Sequence, residues 1–433
     1  MNMQPRIFFD CTRTWRSSLH TGIERVVRNI IRASEEVGPS LGVVCRPVVY
    51  RPLHGFVAVD SQKLLADQRQ PAKSAPSMIK LHLNRWGLAP LARAGRDQTR
   101  RAADGIQSIF QPFSRKRLTF LAEDVLILLD SSWTTPYWNE VRRAQEHGTL
   151  VGAMIYDLLP IQFPESFTRP QRRCFHTWWD KAYHRADFVA SISQNVCAKV
   201  LEYHECLQTR RGKLPAGAFR LGADFLTGRS DQPIRPELEA LRARPFYLCV
   251  GTFSPRKQQA FLLDAFERLW KQGTTASLIY VGGSGWNSQA FIHRLRSHCE
   301  WGKSLHWPAD LSDGELDWCY RNAAGLITAS RGEGFNLPIV EALHRNCPVF
   351  ASDIPIHREV AGNFASYFPK DDVSRLAEQI GQHRPSQTVD TQTPPDHFHW
   401  PNWTASCAEL IQLIQNLAQQ CRTEDLGDQR KAA

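Results

Sequence analysis

The sequence contains no apolar run that approaches the length of a membrane-spanning helix. Apolar runs such as 125–129 hold only five residues, whereas a helix needs about 20 apolar residues to cross a bilayer. The first six residues lead directly into Ile7-Phe8-Phe9, without the apolar core of a signal peptide. We therefore expect a cytoplasmic protein.

The chain also lacks the patterns of several cysteine-dependent and nucleotide-dependent classes of protein. Its 11 cysteines are odd in number and scattered, with no Cys-x-x-Cys pair and no grouping with histidine. This usage indicates reduced, mostly buried thiols and argues against a disulfide framework or a structural zinc site. A Gly-x-x-x-x-Gly-Lys-Ser/Thr loop is missing as well, which excludes a P-loop ATPase.

Acidic residues are fewer than basic ones. The 433 residues include 53 Lys and Arg against 43 Asp and Glu, which gives a net charge of +10. This balance suits an anionic partner, and charge alone leaves open whether that is a nucleotide sugar, an anionic lipid surface or nucleic acid. Because no nucleic-acid-binding motif is present, we expect no nucleic-acid partner.

The segment 85–118 concentrates positive charge. It contains eight Arg and Lys residues against two Asp, with Trp, Phe and Ile interspersed. One interpretation is a basic amphipathic helix that lies on an anionic membrane and holds the protein peripherally at the inner face of the cell membrane. The other interpretation is a solvated insertion in the N-terminal domain. The sequence leaves both open.

Short apolar strands alternate with longer amphipathic stretches along the chain, which predicts a parallel α/β architecture. The length exceeds that of one typical domain. The turn-rich and charge-rich stretch 222–243 is the best boundary. We predict two Rossmann-like domains that face each other across a cleft, at 1–230 (with the insertion 85–118) and 240–395, followed by a C-terminal helix and tail at 396–433.

The predicted strands are 7–10, 42–49, 125–129, 150–156 and 188–191, then 246–250, 276–281, 305–308, 325–329 and 349–352. The clearest predicted helices are 23–36, 171–185, 258–272, 287–298, 313–322, 338–345, 373–383 and a final one at 400–417.

The most informative segment is 330–341, where an apolar strand runs through a small-residue loop into a helix. Asn336 is the predicted N-cap of this helix, and Pro338 lies in its first turn. Free backbone N–H groups and the positive end of the helix dipole suit a phosphate at such a turn. Glu333 lies just before the turn and Glu341 about one turn into the helix, so the segment predicts a sugar-nucleotide site.

A second segment, 251–257, follows a predicted strand and precedes a predicted helix. It reads Gly-Thr-Phe-Ser-Pro-Arg-Lys and ends in the adjacent cations Arg256 and Lys257. Two cations at a helix N-terminus neutralise a pyrophosphate and stabilise a departing nucleoside diphosphate. An exposed Arg-Lys pair is the ordinary alternative, but the strand, glycine, proline and helix match the context that a binding motif needs.

Both segments resemble signatures of the family-4 retaining glycosyltransferases, which have the GT-B fold. Glu-Gly-Phe-Asn-Leu-Pro-Ile-Val-Glu at 333–341 resembles the Glu-x7-Glu signature of that family, and 251–257 resembles its Gly-Thr-x-x-Pro-Arg-Lys signature. The resemblance covers most of the chain and is strongest over 251–369. It implies that the N-terminal domain binds the acceptor and the C-terminal domain binds a nucleotide sugar.

The resemblance also implies roles for individual residues. Arg256 and Lys257 would grip the donor diphosphate, and Glu341 would bind the ribose hydroxyls. Glu333 would be catalytic, in contact with the transferred sugar near its anomeric carbon. A carboxylate that simply satisfies a helix dipole is the ordinary alternative for either glutamate. Backbone N–H groups would complete the donor site at four further positions: Gly334, Phe335, Asn336 and Leu337.

In the N-terminal half, two elements resemble further parts of the family pattern. Gly22, before a predicted helix, resembles the glycine of a loop that closes over the donor phosphates. Asp157 ends a predicted strand in Tyr-Asp-Leu-Leu-Pro, which resembles the His-Asp-x-x-Pro element of the family. Asp157 is therefore a candidate catalytic residue that orients the sugar or acceptor, or else an ordinary aspartate at a strand end. Tyr156 replaces the usual histidine.

The chemistry that the resemblance implies is transfer with retained anomeric configuration. The acceptor hydroxyl would attack from the face that the diphosphate leaves, with no metal ion, and the sequence has no Asp-x-Asp motif. Within the family, 251–257 and 351–362 look most like bacterial polysaccharide mannosyltransferases. GDP-mannose is thus the leading donor, ahead of UDP-glucose and UDP-N-acetylglucosamine, and the acceptor would be a glycan or a polyprenyl-diphosphate-linked oligosaccharide. The alternative is a non-catalytic nucleotide-sugar-binding subunit of a polysaccharide assembly complex.

Overall fold

A computed structural model describes residues 4–17, 22–66, 117–207, 214–223, 233–308, 310–383 and 398–432. Three regions singled out in the sequence lie partly outside these ranges. They are most of the basic segment 85–118, the 224–232 part of the predicted domain boundary, and 384–395 at the end of the predicted second domain. In the described ranges, no helix combines the length and the apolar character that crossing a bilayer requires.

Seven strands form the first sheet: β1 (Arg6–Asp10), β2 (Val44–Arg51), β3 (Gly55–Ala58), β4 (Val125–Leu128), β5 (Leu150–Ile155), β6 (Phe188–Ser191) and β7 (Ala216–Ala218). Their order is β3-β2-β1-β4-β5-β6-β7. Neighbouring strands are parallel, except that β2 and β3 are antiparallel. Every residue of β4 and β5 is buried, as expected for a parallel sheet that is covered on both faces.

Six parallel strands form the second sheet: β8 (Phe246–Val250), β9 (Ser277–Val281), β10 (Leu305–His306), β11 (Gly325–Thr328), β12 (Val349–Ser352) and β13 (Ala365–Phe368). Their order is β10-β9-β8-β11-β12-β13. The chain therefore proceeds outward in opposite directions from the neighbouring strands β8 and β11. Ligands of open α/β sheets bind at such a reversal, beyond the carboxyl ends of the strands.

Helices connect the strands and cover the sheets. They are α1 (Thr12–Arg16), α2 (Gly22–Ser40), α3 (Ser61–Ala66), α4 (Trp138–Glu146), α5 (Leu159–Gln162), α6 (Arg169–Arg185), α7 (Gln194–Cys206), α8 (Pro236–Glu239), α9 (Gln259–Lys271), α10 (Gln289–Arg296), α11 (Asp313–Asn322), α12 (Leu337–Leu343), α13 (Pro355–Ala361), α14 (Val373–Gln382) and α15 (Trp403–Ala432). We call the first sheet with its helices the first domain, and the second sheet with its helices the second domain.

The last helix, α15, crosses back to the first domain and packs on α2, β6 and β7. Buried apolar residues recur along it at helical spacing: Cys407, Leu410, Ile411, Ile414, Leu417, Ala418 and Cys421. The Ser406 hydroxyl donates to the carbonyl of Arg220 at 2.6 Å. The predicted final helix at 400–417 is thus present but runs further, to residue 432.

The predicted alternation of strands and helices is confirmed. Strands β6, β8 and β12 and helix α11 have the predicted bounds, and the other predicted elements are shifted by a few residues. Three strands were missed, namely β3, β7 and β13. All three lie at sheet edges, and β7 and β13 lack the continuous run of buried residues that marks the equally short β6 and β12.

Candidate functional site

Two loops meet at the carboxyl edge of the second sheet. One follows β8 and spans 251–258, and the other follows β11 and spans 329–336. Because β8 and β11 are neighbours, the two segments singled out in the sequence lie side by side. The backbone N–H of Arg331 donates to the carbonyl of Arg256 at 3.0 Å and so joins the loops directly.

The first loop differs in detail from the sequence prediction. Residues Pro255–Lys257 form a single 3-10 turn, and Gln258 has a left-handed φ of 57° before α9 begins. The predicted helix was expected to start at Gln258 itself. Both cations, Arg256 and Lys257, therefore lie in a turn just before the helix. From there they reach across to the second loop.

The carboxylate of Glu333 is where the two loops meet. Its Oε2 lies 2.6 Å from Nη1 of Arg256, and its Oε1 lies 2.6 Å from Nζ of Lys257. The hydroxyl of Ser330 donates to Oε1 at 2.6 Å, and Arg256 also donates to the carbonyl of Gly332. Burial by itself would raise the pKa of Glu333, but the two cations outweigh burial and hold that pKa well below its usual range. Glu333 is therefore ionised, and the cluster of three side chains carries one net positive charge.

The second loop is held by a buried polar network around Asn336. Asn336 precedes α12 as predicted, with a φ of 89°, but its side chain does not cap that helix. The Asn336 amide Nδ2 instead lies 2.9 Å from Thr328 Oγ1 and 2.9 Å from His357 Nε2. His357 Nδ1 lies 2.9 Å from the carbonyl of Ser352, whose hydroxyl donates to the carbonyl of Ser330.

This network fixes the protonation of His357. A carbonyl next to Nδ1 requires a proton there, and the Asn336 amide next to Nε2 requires a lone pair. The ring is therefore neutral, and burial lowers the pKa of His357 to about 4. The neutral ring connects strand β12 to the loop that carries Glu333.

Glu341 lies on α12 and is almost fully buried, at 2% exposure. Its Oε2 accepts a hydrogen bond from the Tyr320 hydroxyl at 2.9 Å. Its Oε1 accepts one from Arg25 Nη1 at 2.5 Å, although Arg25 belongs to α2 of the first domain. Both oxygens of Glu341 thus have a donor within the chain.

The second loop also touches the first domain, and glycine makes this approach possible. A Cβ at Gly334 would lie 2.0 Å from the Tyr156 carbonyl oxygen and 3.1 Å from Asp157 Cβ. A Cβ at Gly332 would lie 2.4 Å from the ring of Phe163. Any other residue at Gly334 would therefore push a loop of one domain away from the other.

Polar contacts hold the same approach. The Ser193 hydroxyl, at the start of α7, donates to the Gly334 carbonyl at 2.9 Å. The Glu359 carboxylate on α13 accepts hydrogen bonds from the backbone N–H groups of Gln194 and Asn195, each at 2.7 Å. A carboxylate of the second domain therefore satisfies the N-terminal turn of a helix in the first domain.

Asp157 lies at the junction of the two domains, which is the region where Gly334 approaches Tyr156. The side chain of Tyr156 points away from this junction. Asp157 accepts a hydrogen bond from the Leu159 N–H at 3.1 Å. Burial raises the pKa of Asp157, while the charge of Arg256 opposes that rise. The Tyr156 hydroxyl donates to the Leu129 carbonyl at 2.8 Å. The residue in place of the family histidine thus serves the core of the first sheet.

The remaining predicted donor-binding positions surround the junction. Gly22 begins α2, the helix whose first turn carries Arg25, and a Cβ at Gly22 would meet no atom within 4 Å. The Phe335 ring is buried, with its centroid 5.6 Å from that of Trp400. The side chains of Phe335 and Asn336 are thus engaged within the protein, and Leu337 begins α12. Contact between the backbone of 334–337 and a ligand stays a prediction.

Four residues at the junction had not been singled out as site residues, namely Arg25, Ser193, Lys199 and His357. Lys199 faces Asp157: burial lowers the pKa of Lys199, and the Asp157 charge opposes that shift. Each of the four is distant in sequence from its partner at the junction. Arg25 lies close to Gly22 and His357 lies within 351–362, but no local pattern had given either residue a role.

Metal-ligating residues do not cluster here. Across the described ranges, no group of three or more His, Cys, Asp or Glu side chains is arranged to hold a metal ion. The cations of the site are those of Arg256 and Lys257, and their geometry fits a ligand that brings its own negative charge.

Comparison with known proteins identifies the second domain. Residues 230–383 match the family model described as glycosyl transferases group 1. The serotype-specific mannosyltransferase WbdA of Escherichia coli is 32% identical over 311 residues, which are 69% of this chain and 37% of that protein. The O-antigen chain mannosyltransferase RfbU of Salmonella typhimurium is 25% identical over 225 residues, which are 50% of this chain and 56% of that protein. The chain thus spans little more than a third of WbdA.

A solved structure shares the fold over the whole chain. Anabaena Alr3699/HepE, crystallised in complex with UDP and glucose, superposes with a TM-score of 0.53 and 17% identity, and the match covers 98% of this chain and 99% of that one. The architecture is therefore GT-B, with two Rossmann-like domains, as the sequence had predicted.

Proposed function

We propose that this chain, which carries a glycosyl transferases group 1 domain on the GT-B fold, is a retaining mannosyltransferase of polysaccharide biosynthesis. It moves mannose from a nucleotide-diphosphate donor to a glycan or a lipid-linked oligosaccharide. Its similarity to WbdA and RfbU, whose names describe mannosyltransferases, supports the choice of sugar.

The observation that carries this proposal is the cluster of Glu333, Arg256 and Lys257 at the point where the strand order of the second sheet reverses. Two cations bonded to one carboxylate leave one unit of positive charge for a diphosphate. The backbone of the loop into α12 adds N–H donors, because the first turn of a helix has N–H groups without intrahelical acceptors. Charge, donors and position thus match a nucleoside diphosphate.

The reaction we propose requires no other group than the chain and the two substrates. The acceptor hydroxyl oxygen forms a bond to the anomeric carbon on the face from which the diphosphate oxygen departs, and the hydroxyl proton passes to that oxygen. Arg256 and Lys257 stabilise the negative charge that develops on the diphosphate. In the proposed reaction Glu333, ionised between the two cations, contacts the sugar, and Asp157 acts from the first domain, where the charge of Arg256 reaches it.

GDP-mannose is the donor that we propose, and a polyprenyl-diphosphate-linked oligosaccharide is one acceptor that fits polysaccharide assembly. Catalysis without a metal ion is part of the proposal, since two cations already neutralise the leaving group. Peripheral attachment to an anionic membrane through 85–118 remains a prediction about residues that the structure largely does not describe.

A direct test measures GDP release from GDP-mannose, UDP-glucose and UDP-N-acetylglucosamine, with and without mannose-terminated oligosaccharides and with EDTA present. We expect slow release of GDP alone, faster release with an acceptor, retained configuration in the product, and no effect of EDTA. Tight donor binding without turnover for any acceptor would favour the non-catalytic subunit. Absence of binding to every nucleotide sugar would contradict the proposal.

A further inference from the structure

Arg25 is a side chain of the first domain that contacts Glu341, the residue predicted to bind the ribose. Its Nη1 donates to Glu341 Oε1 at 2.5 Å, across 316 residues of sequence. The Arg25 side chain is 26% exposed, whereas that of Glu341 is 3% exposed. The guanidinium is therefore partly open to solvent where the two domains meet, and the carboxylate beside it is almost fully enclosed.

The place of Arg25 in its own helix is unfavourable without this partner. Residue 25 lies in the first turn of α2, where the helix dipole is positive and a cation is repelled. Burial by itself lowers the pKa of Arg25, and the charge of Glu341 reverses that effect and raises the pKa above its usual value. The pairing with Glu341 thus compensates for the position of Arg25.

The geometry around Glu341 is that of a fixed acceptor. Tyr320, from the same domain, donates to Oε2, and Arg25, from the other domain, donates to Oε1. A carboxylate offers about four lone-pair sites, so each oxygen keeps one for a further donor. Two adjacent hydroxyls of a ribose require two such oriented lone pairs.

We propose that Arg25 is a positioning residue of the donor site, supplied by the first domain, which orients Glu341 so that both of its oxygens accept the ribose hydroxyls. This inference rests on the proposed function. Because Arg25 and Glu341 belong to different domains, the ribose site is complete only when the domains are together. Domain closure and recognition of the ribose are thereby coupled.

Neighbouring contacts support this coupling. The Ser193 hydroxyl and the Glu359 carboxylate bind backbone groups on the opposite domain close to the same junction. They hold the domains together without touching Glu341. Removing Arg25 therefore changes the orientation of one carboxylate while other contacts maintain the closed arrangement.

The test is a thermodynamic cycle between the protein and the ribose. Calorimetry measures the dissociation constants of GDP and 2′,3′-dideoxy-GDP (or of the UDP pair, if the wild type prefers UDP) for the wild type, Arg25→Gln and Arg25→Lys. Arg220→Gln is the matched control, because Arg220 forms an Arg–Glu pair with Glu409 away from the junction.

In the wild type and in Arg220→Gln, we expect the dideoxy ligand to bind at least about tenfold more weakly, as for loss of hydrogen bonds to a charged group. In Arg25→Gln, the ribose ligand should lose about tenfold or more in affinity while the dideoxy ligand changes little, so the preference for ribose collapses. Arg25→Lys should restore part of the preference, since it keeps a cation near Oε1.

Two results would overturn the inference. An Arg25→Gln variant that weakens both ligands equally, with the ribose preference intact, would show that Arg25 does not act through Glu341. A wild type that binds neither GDP nor UDP would overturn the proposed function and, with it, this inference. The two failures are distinct because only the second involves the wild type.

Discussion

Each sheet reverses its strand order once, and the charged residues at these two reversals differ. We call the carboxyl ends of β1 and β4 the first edge, where the carboxylates Asp10 and Asp130 lie. We call the carboxyl ends of β8 and β11 the second edge, where Glu333 lies with Arg256 and Lys257. Burial and the charge of Asp130 raise the pKa of Asp10 to about 7, whereas the cations keep the pKa of Glu333 low.

The acids of the first edge serve local structure. Asp10 accepts hydrogen bonds from the N–H and hydroxyl of Thr12, and Asp130 accepts them from the N–H groups of Thr14 and Ser131. Both acids are essentially inaccessible, at 0% and 1% exposure. A carboxylate at the end of a strand therefore does not by itself mark a ligand site. The second edge differs because its carboxylate has two cation partners, Arg256 and Lys257, whose side chains are 13% and 17% exposed.

The largest effect should come from the charged cluster at the second edge. Glu333→Gln removes the carboxylate that we propose contacts the sugar and leaves Arg256 and Lys257 without their charged partner, so we expect turnover of GDP-mannose to fall by about 10²–10³-fold. Initial rates of GDP release measure this. Glu378→Gln, which alters an exposed pair on α14, is the control. A variant at position 333 within threefold of wild type would mean that the cluster is not catalytic.

The next effect tests the contact between the second edge and the first domain. Gly334→Ala places a methyl group 2.0 Å from the Tyr156 carbonyl, so the domains must separate, and we expect turnover to fall by about tenfold or more, as for a small misplacement of reacting groups. The same substitution at Gly283, where a Cβ meets nothing within 4 Å, should leave turnover unchanged. Equal rates for both variants would contradict the close approach.

A smaller effect is expected from the network that supports the second edge. His357→Leu removes the acceptor of one Asn336 amide N–H, while Thr328 still accepts from the other. The unpaired buried N–H costs about 1–3 kcal/mol of stability, and we expect the donor KM to rise. His357→Gln, whose carbonyl can accept from that amide, should recover part of the KM. If His357→Leu and His357→Gln raise the donor KM equally, the hydrogen bond between residue 357 and Asn336 does not position the loop.

The same histidine predicts a pH dependence. Burial lowers the pKa of His357 from 6.5 to about 4. As the pH falls, this histidine therefore becomes protonated in the unfolded chain before it does in the folded protein. Its contribution to stability is therefore full above about pH 6.5 and declines as the pH falls toward 4. Thermal midpoints measured from pH 7 to pH 4.5 should fall less steeply in His357→Gln than in the wild type. Parallel curves would show that the histidine is not buried in its neutral form.

The smallest effect on donor binding is expected at the first edge. Asp10→Asn keeps the acceptor for Thr12, so GDP affinity should stay within about twofold of wild type, since nothing in the donor site changes.

The effect of Asp10 on stability changes with pH in the opposite direction to that of His357. With its pKa raised from 3.8 to about 7, Asp10 contributes stability below about pH 4 that is lost as the pH rises to 7, by no more than about 4 kcal/mol.

Calorimetry measures the GDP affinity of Asp10→Asn, and thermal midpoints between pH 5 and pH 7.5 measure how its stability depends on pH. The midpoint of the wild type should decline more steeply with rising pH than that of the Asn variant. A large loss of GDP affinity in Asp10→Asn would contradict the distinction between the two edges.

Much of this arrangement was predictable because it depends on local patterns. Runs of apolar residues marked the main strands, and the segments 251–257 and 330–341 carried the loops that meet at the second edge. That the two loops meet depends on β8 and β11 being neighbours in the sheet, which the structure shows. The GT-B fold, which the resemblance of these segments implied, was confirmed by the shared fold of a solved structure.

Other parts of the junction depend on pairings between distant residues, which no local pattern reveals. Arg25 and Glu341 are 316 residues apart, and Ser193 and Gly334 are 141 apart. The N-terminal position of Asn336 was predicted correctly. Its side chain, however, turns away from its own helix to His357, because tertiary partners replaced the local cap.

The central claim is that Arg256, Lys257 and Glu333 form a site for a nucleoside diphosphate sugar. Calorimetric titration of GDP-mannose into the wild type and Lys257→Ala tests it most directly. We expect saturable binding to the wild type and at least about tenfold weaker binding to the variant, since a charge-assisted hydrogen bond is lost. Equal affinity in both proteins would contradict the account.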